Sequence, residues 1–183
     1  MNIIKLVPIS LGNLNLRGGP DYIHNLNDPE VNKYLELRFN THTLESVKKY
    51  IEGLSDDKNV RFFTIRMIDK DRATWVGNIK LQPINFIHGF AEIGIIIFKE
   101  HWNKGYGSEA IKLLSDYAFR VLHLHKLYAG CLAPNIASIK AFEKAGFKQE
   151  YVIKNQYLTN GNGYVDDVVL SLFNQKIKGE VVS

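Results

Sequence analysis

The sequence predicts a mixed α/β fold: a mostly antiparallel, twisted sheet of about seven strands flanked by helices. Three observations carry this. The near-continuous β-branched run Ile93–Phe98 passes through a short polar turn with two glycines into Ile111, Leu114, Ala118 and Leu122 at helical spacing, and then into the strand Lys126–Ala133. Such a crossover makes two neighbouring strands parallel. Before it, Arg61–Ile68, Thr74–Leu81 and Phe90–Phe98 follow one another with only turns between them, which reads as an antiparallel meander. After it, Lys148–Leu158 and Gly163–Phe173 flank the turn Thr159-Asn160-Gly161-Asn162, a closing hairpin.

In chain order, Ile3–Val7 is a first strand, followed by a glycine-containing polar segment at Arg17-Gly18-Gly19-Pro20-Asp21. Helical segments are expected at Tyr22–Leu26 and at Glu30–Leu35, the second with Asp28 as N-cap and Pro29 at the first helical position. Thr43 caps a helix through Leu54 whose apolar face is Leu44, Val47, Tyr50, Ile51 and Leu54. Asp69-Lys70-Asp71-Arg72 is a polar hairpin turn. Asn135 caps a short helix with Ile139 and Phe142 inward, and Gly146 ends it in the left-handed conformation.

The chain has 183 residues, 45% hydrophobic and 23% charged, which suits one domain over residues 1–175 with a frayed tail at 176–183. The net charge of +4 is dispersed, with acids between the lysines, so no nucleic-acid stripe is present and an anionic small ligand accounts for the balance equally well. Cys131 is the only cysteine, and Met1-Asn2-Ile3-Ile4-Lys5 lacks a signal-peptide pattern; a reducing cytoplasm is the expected setting. The six histidines lack a partner set at metal spacing, so no metal is assigned, and Cys131 reads as core packing rather than a nucleophile.

Asn103-Lys104-Gly105-Tyr106-Gly107-Ser108 brings backbone amides to a helix N-terminus, either as an anion cradle or as a plain strand-to-helix turn. Tyr34-Leu35-Glu36-Leu37-Arg38-Phe39-Asn40 mixes aromatics with one acid and one base. It reads equally as a substrate-facing loop or as a packed connection with a solvated ion pair.

The strand Ala91-Glu92-Ile93-Gly94-Ile95, the turn Trp102-Asn103-Lys104-Gly105-Tyr106-Gly107, and Asn135-x-x-Ser138 followed by Phe142-Glu143-Lys144-Ala145-Gly146-Phe147 together resemble the GNAT superfamily of acetyltransferases, nearest its RimJ/RimL-type branch. The likeness runs through essentially the whole chain in order. The turn pattern is Q/R-x-x-G-x-G/A; Gly105 and Gly107 match, while Trp102 stands where glutamine or arginine is usual, a change that backbone amides tolerate.

The resemblance implies a V-shaped split between the central strands that holds acetyl-CoA. Pantetheine would pair with backbone around Ile95, Ile96 and Ile97, and the diphosphate would meet the turn at Trp102, Asn103, Lys104, Gly105, Tyr106, Gly107 and Ser108, with Lys144 adding charge. Asn135 would contact pantetheine, and Phe142 would pack on the cofactor. Glu92 is the implied base and Ser138 the hydroxyl near sulfur. Phe142 occupies the position of the family's usual tyrosine acid and cannot donate a proton, which makes Tyr157 an alternative donor. Acceptor selection is expected at Tyr34, Glu36, Arg38 and His88. The acceptor is a protein N-terminus or a small amine such as an amino sugar, attacked directly in a ternary complex. A homodimer is plausible for the branch, and a catalytically silent CoA sensor is the competing reading.

Overall fold

The computed structural model describes residues 3–176 except 16–18, 55, 71, 160 and 162. The expected Arg17 and Gly18 of the first connection, Asp71, Asn160 and Asn162 of the hairpin turns, and residues 177–183 of the tail therefore lie outside the described residues.

The strands are β1 (Ile3–Pro8), β2 (Arg61–Asp69), β3 (Arg72–Asn85), β4 (Phe90–Ile97), β5 (Lys126–Leu132), β6 (Lys148–Thr159) and β7 (Gly163–Phe173). They form one sheet in the order β1-β2-β3-β4-β5-β7-β6, in which only β4 and β5 are parallel. The helices are α1 (Leu11–Asn15), α2 (Gly19–Asn27), α3 (Pro29–Asn32), α4 (Leu44–Leu54), α5 (Tyr106–Arg120) and α6 (Ile136–Lys144), with 3-10 turns at Glu36–Phe39 and Lys99–His101. None of the described helices is long and apolar enough to cross a membrane.

Local chemistry sets most of these boundaries. Asp28 caps α3 by accepting the Glu30 N–H at 2.8 Å, with Pro29 next to it. Thr43 and Ser46 cap α4 reciprocally, each side-chain oxygen accepting the other's backbone N–H at 3.1 and 2.9 Å. Asn135 accepts the Ser138 N–H at 3.2 Å to start α6, and Gly146 follows that helix with φ +99°. Helix α3 stops at Asn32, short of the expected Leu35, and the chain tightens into the 3-10 turn at Glu36–Phe39. Helix α1 and the continuation of β3 to Asn85 carried no clear period in sequence.

One face of the sheet packs on α5, whose Ala110, Ile111, Leu114 and Ala118 are fully buried against Val76, Ile79, Leu81, Leu127 and Ala129. The other face carries a second cluster in which Tyr22, Trp75 and Phe98 meet at ring separations of 5.3 to 6.1 Å under α2 and α4. This second cluster fixes the N-terminal helices over β3 and β4.

The geometry that matters for function is where β4 leaves β5. The two pair only at Phe90–Lys126, Ala91–Leu127 and Glu92–Tyr128. Beyond Glu92, β4 stays with β3 as far as Ile97–Gly77, and β5 stays with β7 as far as Leu132–Asp167. Each strand keeps its outer partner, so a split opens between them. It also explains why Ile95, Ile96 and Ile97 are only partly buried, although the apolar run suggested a strand covered on both faces.

Candidate active site

On one side of the split, backbone groups are available. The Phe98 N–H donates to the Val76 carbonyl at 2.9 Å, so alternation along the pair turns the peptide groups of Ile96 and Gly94 toward β3 and those of Ile95 and Ile97 toward the split. Ile96 packs its side chain on the Tyr22–Trp75–Phe98 cluster and so faces away on both counts. The Trp102 indole N–H donates to the Ile97 carbonyl at 2.7 Å, so Trp102 fastens the turn to the end of β4.

At the start of α5, Gly105 is the N-cap with φ +80°, a conformation that favours glycine. Glu109 N–H makes the bond to the Gly105 carbonyl at 3.2 Å, the amides of Gly107 and Ser108 precede it, and no side chain caps this end. The Ser108 hydroxyl donates to the same carbonyl at 3.0 Å. A side chain at Gly107 would meet Ile97 at 3.6 Å and Ala141 at 3.9 Å, which shows how closely α5 starts against β4 and α6.

Asn103 and Lys104 are exposed in the turn, and Lys104 Nζ donates to the Glu100 carbonyl at 2.8 Å. Tyr106 is buried under the turn, with its ring 6.3 Å from His101. Lys144 is exposed on the last turn of α6. Phe142, expected to lie on the cofactor, is instead 2% exposed and edge-on to Phe147 at 5.1 Å. It belongs to the core because helical spacing turns it inward with Ile139. Ser138 reaches β5, its Oγ 3.4 Å from Cys131 Sγ. Burial pushes the Cys131 thiol up to about 11, so it is protonated at neutral pH and is no nucleophile.

The vertex of the split is acidic. Glu92, at the last paired position of β4, is half-buried, and the Tyr128 hydroxyl is hydrogen-bonded to it. Burial raises its pKa above the ordinary 4.5; the charge of Glu36 adds to the rise, while Lys80 and the Tyr128 bond oppose it. Tyr157 of β6 is hydrogen-bonded to Glu36, and burial together with Asp167, Glu36 and Glu92 raises its pKa. Tyr128 and Asp167, absent from the sequence-based set, thus join Glu36, Glu92 and Tyr157 in one electrostatic group. The one sequence signal for Asp167 is an acid inside the apolar run of β7.

Arg38 is buried rather than presented to a ligand. Its guanidinium donates to the Leu35 carbonyl at 2.7 Å and to the Leu158 carbonyl, and lies 4.3 Å over the Phe39 ring. It therefore ties the turn carrying Glu36 to the strand carrying Tyr157. Arg38→Ala leaves two carbonyls without their donor, each a loss of about 1–3 kcal/mol. The expected result is a lower melting temperature together with a higher acceptor KM, and lysine at this position should restore it only in part because it lacks the fork. An unchanged acceptor KM would remove the tie from the site's design.

Tyr34 sits under the Lys33 ammonium, 5.1 Å from its ring centroid, at the edge of the same turn. His88 lies in the β3–β4 turn and stacks on Phe90 at 6.3 Å, and Phe90 in turn contacts Tyr128 at 6.2 Å. His88 is thus two rings removed from the Glu92–Tyr128 pair. Among the described residues no cluster of His, Cys, Asp or Glu could hold a metal ion.

A split sheet with outward backbone groups on β4, an uncapped helix start beside them and a carboxylate with raised pKa on the same strand at the vertex of the split has the parts of a CoA-dependent acyltransferase. The available donors fit the cofactor: peptide groups for the amides of pantetheine, and helix-start amides for phosphate. Comparison with known proteins agrees. Residues 16–148 match the acetyltransferase (GNAT) domain, and the chain belongs to that family. It is 30% identical over 147 residues to a spermidine N(1)-acetyltransferase of Vibrio cholerae, covering 79% of this chain and 82% of that one. It is also 30% identical over 178 residues to the Escherichia coli K12 spermidine N(1)-acetyltransferase, covering 97% and 89%. The crystal structure of the Vibrio cholerae spermidine N-acetyltransferase in complex with CoA and spermine shares the fold, with a TM-score of 0.81 at 24% identity over 93% of this chain and 95% of that chain. The protein is an N-acetyltransferase that uses acetyl-CoA.

Proposed function

We propose that the acceptor is a polyamine or short diamine of the spermidine kind. The observation that carries this reading is the grouping of Glu36, Glu92 and Asp167 at the acceptor end of the split, where the charge of Glu36 pushes up the pKa of both other carboxylates. Carboxylates that repel one another are relieved by a ligand with several positive charges. The similarity to spermidine N(1)-acetyltransferases supports the same class. A protein N-terminus, as the RimJ/RimL resemblance implied, offers one ammonium and matches this grouping less well.

When bound, acetyl-CoA supplies an acetyl thioester in the split. The residues around it handle protons and charge. An alkyl ammonium has a pKa near 10 and must lose a proton before its nitrogen is nucleophilic. Glu92 takes that proton, with Tyr128 orienting the carboxylate. The raised pKa brings Glu92 closer to neutral pH and makes it a better base than an ordinary glutamate. Ser138, on the opposite wall, presents a hydroxyl donor where Phe142 cannot, and Tyr157, held by Glu36, offers a second. Transfer is direct in a ternary complex, since the protonated Cys131 thiol disfavours an acyl-cysteine route.

The silent-sensor reading rests on Phe142 alone, whereas the half-buried Glu92 carboxylate with its raised pKa supports turnover. Two copies paired through the exposed apolar residues Tyr151, Ile153 and Leu158 of β6 complete this reading, and light scattering tests the pairing.

CoA release from acetyl-CoA, measured with a thiol reagent over spermidine, spermine, putrescine, aminoglycosides, amino sugars and N-terminal peptides, is the direct test. Rates on spermidine or putrescine at least tenfold above the amine-free rate are expected. Peptide or amino-sugar turnover in their absence would replace the polyamine reading.

A further inference from the structure

The two adjacent acids of β7 have opposite fates. Asp166 faces outward, accepting from Lys154 Nζ at 2.8 Å and from the Asn155 N–H at 3.0 Å. Asp167 is 4% exposed, and its Oδ1 has no hydrogen-bond partner among the described residues. Native proteins rarely leave a buried carboxylate oxygen in that state, because a polar atom removed from water needs a replacement donor.

Its position follows from Gly130. A Cβ at Gly130 would stand 2.8 Å from Asp167 Oδ2 and 3.1 Å from Oδ1, so the carboxylate lies in the space that any other residue there would fill. Alternation along β5 puts Gly130 on the same face as Tyr128, the residue hydrogen-bonded to Glu92. Asp167 and Glu92 therefore approach the same face of β5 from its two neighbouring strands, β7 and β4. The Cys131 backbone N–H favours the Asp167 carboxylate, while Glu36 opposes its charge, and no ion pair reaches it among the described residues.

Resting on the polyamine reading above, we propose that Asp167 is a specificity residue: its unpartnered Oδ1 receives a second ammonium of the acceptor, next to the nitrogen that gives its proton to Glu92. The acceptor is then a primary amine with a further cationic nitrogen a short alkyl chain away, and Gly130 is required because it gives the carboxylate its place. Glycine at 130 is a steric requirement rather than a conformational one, since its φ is not positive.

The test compares the wild-type chain with Asp167→Asn and Gly130→Ala on spermidine, 1,4-diaminobutane and butylamine, with calorimetric binding of spermidine and of CoA measured separately. Asp167→Asn removes the charge, and Gly130→Ala displaces it while keeping it. Both are expected to lower kcat/KM on the diamine and on spermidine at least tenfold, chiefly through KM, and to weaken spermidine binding by the same factor. CoA binding should stay within twofold, and the loss on butylamine, which has no second ammonium, should be at least fivefold smaller than the loss on 1,4-diaminobutane. Equal losses on butylamine and 1,4-diaminobutane, or full spermidine binding in Asp167→Asn, would overturn the assignment while leaving a polyamine acetyltransferase intact. A wild-type chain that neither binds nor acetylates any of the polyamines would overturn the acceptor reading, and this assignment with it.

Discussion

Glu92→Gln is expected to lower kcat/KM on the preferred amine by about 10²–10⁴-fold, the usual worth of a positioned general base, with CoA affinity unchanged. The pH dependence distinguishes this from a packing effect. Glu92 acts in its ionised form, and burial and Glu36 hold its pKa above 4.5. Activity in the wild type should therefore fall as pH drops through a limb set above the ordinary carboxylate range, and that limb should vanish in Glu92→Gln. Glu36→Gln removes a like charge, which lowers the Glu92 pKa and should move the limb to lower pH. A profile identical in wild type and Glu92→Gln would take Glu92 out of the proton transfer.

Gly77→Ala is expected to produce a large loss of stability and, with it, a loss of cofactor affinity. A Cβ at Gly77 would lie 2.2 Å from the Ile96 carbonyl oxygen and 3.0 Å from Ile97 Cα. Both are backbone atoms, so no side chain can rotate away, and β3 must part from β4. Overpacking of this kind costs about 1–3 kcal/mol or more. At roughly 2–4 °C per kcal/mol for a chain of this size, the melting temperature should fall by roughly 2–12 °C. The displaced strand end is the one whose Ile95 and Ile97 peptide groups line the split, so CoA should bind at least tenfold more weakly. Gly53→Ala is the control, because a side chain there meets nothing within 4 Å and lies in helix α4. It should be neutral or slightly stabilising. Equal melting temperatures and CoA affinities for wild type and Gly77→Ala would contradict the strand geometry described above.

Much of the structure at the proposed cofactor side was legible in sequence because its signals are local. Gly105 and Gly107 mark a helix start by spacing alone, Asn135 and Ser138 make a cap within one turn, and the β-branched run names the strand beside them. What local signals leave open is the partner on which an inward side chain packs. Helix periodicity turned Phe142 inward, as found, while the cofactor contact that the resemblance implied for it gives way to packing on Phe147.

The proposed acceptor side was legible only in part. Glu36, Glu92 and Tyr157 stand on three separate elements, and they become one group through the Arg38 tie to the Leu158 carbonyl and through the strand order. Arg38 looked like a charge for a ligand because an arginine among aromatics reads the same whether it faces out or in. Asp167 and Tyr128 were missed because each is an ordinary strand residue until β7 is known to lie beside β5 and β5 beside β4.

The sequence by itself determined most of the elements, the crossover that makes β4 and β5 parallel, and the helix start at Gly105. These follow from side-chain periodicity, cap chemistry and backbone allowance, all of which act over a few residues. Only the tertiary structure decided where β4 parts from β5, that Gly130 gives a carboxylate its place, and that the acids of three distant segments share one end of the split. Those depend on pairing between strands tens of residues apart, and the energies of burial and charge that result exist only once the strands have met.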